Sequence, residues 1–107
     1  MTPQWLHPTR CKPPHKVTHP EKLEQLIVDF QLFGWMDSHP HLVGYRVLHT
    51  IQLLSGSHRW AAARVVGIDI PVVVVPHQQV WDAWGDVGKW KTLMQLGDTY
   101  EVPSSNP

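Results

Sequence analysis

The stretch from Leu53 to Ala63 reads LLSGSHRWAAA, an apolar run that stops at Gly56 and resumes as an alanine-rich helix with His58 and Arg59 in its first turn. Residues of these types at this spacing can hold a phosphate. The first N–H groups of a helix lack partners within it, and the aligned peptide dipoles leave partial positive charge there. Gly56 lets the backbone turn sharply and approach a ligand closely, while Ser57 can cap the helix or bond a phosphate oxygen. Arg59 adds a permanently charged planar fork matched to phosphate oxygens, and His58 can hydrogen-bond a phosphate in either protonation state. The same residues also suit an ordinary strand-to-helix turn with a serine cap and a surface arginine.

Other side chains compete for a chemical role. Asp37 is a carboxylate that can act as a base or a magnesium ligand, since magnesium takes one or two carboxylates besides phosphate oxygens and water. Glu21 falls in a first helical turn, where compensation of the dipole alone favours it. His39 and His41 would point to one side of an extended segment, and with His7, His15 or His19 they could form a metal site, although HPH more often marks a loop. Cys11 lies in a proline-rich segment between Arg10 and Lys12 with no general base in view, which predicts an inert thiol.

The elements that must position these residues follow from periodicity. Residues 1–16 carry prolines and no periodic apolar pattern, which predicts an extended arm with one short strand at Gln4 to Leu6. Leu23, Leu26, Ile27, Phe30 and Phe33 form one stripe of a helix over Pro20 to Phe33, ended by Gly34. Strands are expected at His41 to Leu48 and Thr50 to Leu54, the second delivering the chain to Gly56. Ser57 to Val66 is a short helix that its alanines allow close to a sheet, closed by Gly67. The continuous valines of Ile70 to Val75 predict a strand buried on both faces. From Val80 to Leu96, Val80, Ala83, Trp84, Val87, Trp90 and Met94 share one helical stripe, with Trp81, Leu93 and Leu96 off it, and Gly85 and Gly88 weaken the pattern. Three of the six tryptophans lie in this stretch. The predicted fold class is α+β: a small mixed sheet, an amphipathic helix, a short motif helix and a C-terminal helix in one domain over 17–101, followed by a disordered tail over 102–107.

Gly56, Ser57, His58, Arg59, Trp60, Ala61 and Ala62 resemble the GxxRxxA stretch of the ParB/sulfiredoxin superfamily, whose members bind a nucleotide at this turn. The likeness extends to His19-Pro20-Glu21-Lys22-Leu23 with the helix that follows, and to Gly67 through Val74, so that it covers roughly Val17 to Pro76. It implies a nucleotide-binding domain with magnesium-dependent hydrolysis or transfer of the terminal phosphate of ATP or CTP. Gly56, Ser57, His58 and Arg59 would hold the phosphates, and Glu21 or Asp37 would orient the attacking water or hydroxyl. For Glu21 the resemblance is to superfamily serine kinases, where a glutamate in this region acts as base. Sulfiredoxins carry a reactive cysteine where this chain has Ser57, which sets their thiol chemistry aside. ParB proteins carry two charged residues in place of Ser57 and His58, and add DNA-reading and dimerisation segments for which a chain of this size leaves no room.

Composition narrows the remaining classes. Formal net charge is zero over 107 residues, so the electrostatic footprint of duplex DNA binding is missing. A single cysteine excludes an internal disulfide, and the longest apolar runs are far short of a membrane span. The N-terminus does not read as a secretory signal, which leaves a cytoplasmic protein as the expectation. The alternative to an enzyme is a nucleotide-gated or protein-interaction module linked to a DNA partition or regulatory system, in which the tryptophan-rich C-terminal stretch docks a protein partner or a second copy.

Overall fold

The computed structural model describes residues 2–97. Its strands are β1 (Gln4–Leu6), β2 (Cys11–Lys12), β3 (Leu42–Val47), β4 (Thr50–Leu53) and β5 (Ile70–Val75), and its helices are α1 (Pro20–Phe33), α2 (Ser57–Val66), α3 (His77–Ala83) and α4 (Val87–Met94). The tail expected at 102–107 lies outside the described residues.

The valine run of β5 meets two apolar layers. Ile70 and Val72 are buried with Leu26 and Phe30 of α1 and Ala62 and Ala63 of α2. Val73 and Val75 are buried with Val80 and Ala83 of α3 and Leu93 of α4. Alternate residues of one strand thus serve opposite faces, which is why its apolar pattern is continuous. The helices form two layers around one mixed sheet of order β1-β5-β3-β4-β2. β5 runs parallel to β3 and antiparallel to β1, β3 runs antiparallel to β4, and β2 runs parallel to β4.

The segment read as an extended arm supplies both sheet edges. β1 pairs Gln4 with Val72, and β2 pairs Cys11 with Ile51. A flat sheet of this many strands would hold its edges about 19 Å apart, four steps of about 4.8 Å. The link between these edges contains a 3-10 turn at Pro8–Arg10. Such a turn rises only about 2 Å per residue, giving Leu6 to Cys11 a reach of about 13 Å. The sheet is therefore curled, and Trp60 Nε1 of α2 fixes the link by donating to Pro8 O at 2.8 Å.

The C-terminal stretch departs from a single helix. Trp84, Gly85 and Asp86 separate α3 from α4; Gly85 has φ +79°, and the Asp86 side chain caps α4 by accepting the Lys89 N–H at 3.0 Å. The break changes the phase of the apolar stripe. Leu93 turns inward, whereas Trp84 and Val87, on the expected stripe, are 69% and 73% exposed.

Candidate functional site

Strand β4 ends beside Gly56, whose φ of +84° places it in the left-handed region. A Cβ there would run into the Leu42 side chain, so the residue before α2 is required to be glycine on two counts. Gly56, rather than Ser57, is the N-cap, and no side chain caps α2. Ser57 is 2% exposed, and its Oγ instead accepts the backbone N–H of His15 at 3.2 Å, tying the N-terminal segment to the motif helix.

α1 begins beside α2 in the same way. Its N-cap is His19, again without a side-chain cap, with Pro20 next and Glu21 and Lys22 in the first turn. His58 joins the two starts, since its Nε2 accepts the backbone N–H groups of Thr18 at 3.3 Å and His19 at 3.1 Å. An accepting Nε2 carries no proton, so the neutral ring holds its hydrogen on Nδ1. Burial is the main cause that lowers the His58 pKa, with the charges of Lys22, His19 and His15 adding to it.

Arg59 is 5% exposed, and its Nη1 donates to Pro40 O at 2.7 Å. Its guanidinium also lies 5.8 Å from the Trp35 ring centroid. The charge that an ordinary strand-to-helix turn would leave at the surface is held inside the fold, bracing α2 against the loop before β3. His39 in that loop packs against Phe30 and Trp35 at centroid distances of 5.6 and 5.9 Å. Its pKa is lowered by burial and then by Arg59, with Asp29 opposing, and its buried Nε2 has no hydrogen-bond partner.

These residues wall a cavity of about 400 Å³, lined by Gly56, Ser57, His58 and Arg59 from the motif and by Thr18, His19 and Lys22 from the start of α1. His15, Leu26 and His39 complete the wall. The motif residues expected from sequence are thus together. The carboxylates are not with them, because Glu21 and Asp37 are exposed and neither lines the cavity. Among the described residues no three His, Cys, Asp or Glu side chains are grouped to hold a metal ion, so the histidines considered for that purpose do not assemble such a site. Cys11 is buried, and burial pushes its thiol up to about 11 against the opposing influence of Arg10.

Lys22 lines the cavity too, a residue absent from the phosphate ligands expected from sequence. A signal was present: a cation in the first turn opposes the helix dipole, an arrangement costing about 0.3–1 kcal/mol unless an anion lies nearby.

No protein-family model and no curated protein sequence matches this chain. Solved structures do resemble it. Sulfiredoxin from Arabidopsis thaliana superposes with a TM-score of 0.60 at 15% identity, over 77% of this chain and 94% of that one. The C-terminally truncated chromosome-partitioning protein ParB from Caulobacter crescentus, complexed with CTP-gamma-S, gives 0.57 at 17% identity over 80% of this chain. A conserved hypothetical protein from Pyrococcus furiosus gives 0.55 at 18% identity over 72%. This chain spans 53% of that ParB chain and 33% of the Pyrococcus one. Identities this low speak for architecture alone, and the order of strands and helices around the Gly56 turn agrees with them: the chain has the ParB/sulfiredoxin-like fold.

Proposed function

We propose that the cavity binds the phosphate chain of a nucleoside triphosphate, ATP or CTP. The observation that carries this reading is the convergence of two helix starts without side-chain caps on one cavity whose wall, among the described residues, holds Lys22 and Arg59 and no carboxylate. The first N–H groups of a helix, two helix dipoles and fixed positive charge are complementary to oxyanions. The ParB structure that shares the fold holds CTP-gamma-S, which supports a nucleotide over a simple anion.

Glu21 and Asp37 stand outside the cavity wall, so hydrolysis or phosphoryl transfer through either requires the reacting oxygen to sit beyond that wall, by the start of α1 for Glu21 and by the loop after α1 for Asp37. The wall residues fit a phosphate chain and offer no carboxylate ligand for magnesium. Thermal shift with ATP, CTP, GTP and inorganic triphosphate tests the binding. A ligand at 100 times its dissociation constant stabilises by about 2.7 kcal/mol. No shift with any of them, in protein shown to be folded, overturns the reading; phosphate release by wild type and by Glu21→Gln then separates an enzyme from a binding module.

A second reading is favoured by the aromatic run on α3 and α4, where Trp81 and Trp84 are 59% and 69% exposed with rings 6.1 Å apart. It is a nucleotide-gated module without catalysis that docks a second copy or a protein partner through these rings. Sedimentation of wild type and Trp81→Ala, with and without nucleotide, tests it; a monomer under every condition removes the second copy.

A further inference from the structure

Resting on the phosphate reading above, we infer that anion binding in this cavity is coupled to proton uptake by His15 and His19, whose imidazolium charges stand in for a divalent metal ion. Two imidazolium rings supply the same charge as one magnesium ion, and among the described residues no Asp or Glu lines the cavity to hold the metal.

The four cavity histidines divide into two kinds. His58 cannot gain a proton on Nε2 without setting an N–H against the two backbone N–H groups that now point at it. His39 sits among aromatic rings next to Arg59 and is held neutral by burial. His15 and His19 are exposed at the cavity mouth and have no such restraint. His15 Nδ1 lies 2.8 Å from Lys16 O, so that nitrogen already bears hydrogen, and a second proton on Nε2 leaves the bond intact. His19 Nδ1 lies 2.9 Å from Thr18 Oγ1, a hydroxyl that accepts from a protonated ring as readily as it donates to a neutral one.

Among the described residues, the charged groups lining the cavity around this pair have one sign. Lys22 comes from α1 and His58 and Arg59 come from α2, while Glu21 is outside the wall and the acid that registers on a cavity histidine is Asp29, acting on His39. The rings themselves are close, with His58 centroids 6.4 Å from His15 and 5.6 Å from His19. A phosphate chain in their midst sets negative charge beside the free rings and favours their protonated form.

Isothermal titration with inorganic triphosphate in EDTA, at pH 6 and pH 8 and in two buffers of different ionisation enthalpy, tests the coupling. The triphosphate itself titrates in this range, so the His15→Gln/His19→Gln variant is the reference, with folding checked by circular dichroism and single His19→Gln as the reserve. Relative to the variant, wild type should bind about fivefold more tightly at pH 6 than at pH 8, which corresponds to about 1 kcal/mol of charge interaction, and should take up more protons. Equal pH dependence in the two proteins, or binding only after magnesium is added, overturns the inference and leaves the phosphate reading standing. Absence of triphosphate binding at both pH values by folded wild type overturns both.

Discussion

Replacing Gly56 with alanine separates the conformational demand of the motif turn from its steric demand, because the fold contains a matched control. Gly56 has φ +84° and ψ 35°, and Gly67, which closes α2, has φ +85° and ψ 33°. Alanine at either position must adopt the left-handed region, a cost of about 1–2 kcal/mol. At Gly67 a Cβ would meet nothing within 4 Å. At Gly56 it would overlap the Leu42 side chain and lie 3.3 Å from Arg59 Nη2. Leu42 is fully buried in the core, so it cannot move without disturbing α1 and α2, and overpacking of this kind adds about 1–3 kcal/mol. Gly67→Ala should therefore lose about 1–2 kcal/mol and Gly56→Ala about 2–5 kcal/mol by urea denaturation. In a domain of this size each kcal/mol moves the melting temperature by about 4–8 °C. Equal losses at the two sites would refute the close approach of the turn to Leu42, and with it the reason given for glycine at the motif start.

Three further outcomes are expected. His58 is neutral in the fold with a lowered pKa, so the unfolded chain binds more protons just below the ordinary histidine range; stability should fall as pH drops below about 6.5, and His58→Gln should flatten that slope in melting curves taken between pH 7.5 and 5.5. Identical slopes would remove the clamp on Thr18 and His19. Asp86→Ala deletes the cap of α4 and should cost about 1 kcal/mol by denaturation, whereas no change would show that the Lys89 N–H is served elsewhere. With a thiol at about 11, Cys11 should react with an aromatic disulfide reagent at pH 8 only on unfolding in denaturant, and rapid labelling of the native protein would contradict its burial.

Helix and strand positions were legible wherever period and punctuation agreed. The stripe from Leu23 to Phe33 and the left-handed closure at Gly67 predict α1 and the end of α2, and the unbroken valines predict two-sided burial of β5. The reading failed where one signal carries two meanings. A helical stripe drawn through Gly85 and Gly88 mixed the faces of two helices, because Asp86 acts as a cap that its neighbours did not advertise. At the site, the motif residues could be placed from local chemistry, whereas the partners of His58 and Ser57 lie about forty positions away in sequence and depend on how α1 crosses α2. Arg59 illustrates the same limit: its charge suits an oxyanion at any depth, and only packing against Trp35 and Pro40 determines that it is buried. Lys22 reads as ordinary surface charge until a second helix start is set beside it.

The N-terminal dozen residues seal both margins of the curled sheet, since β1 covers β5 and β2 covers β4. Exposed margins offer rows of unpaired amides to other chains, and here each is already filled by a neighbour from the same short segment. The order of assembly follows. Gln4–Leu6 can pair only once Ile70–Val75 exists, so this is the strand pairing of greatest sequence separation among the described residues, and slow folding goes with such long-range pairing. Until then the β5 side of the sheet is open, and removal of the whole segment would leave both sides open permanently.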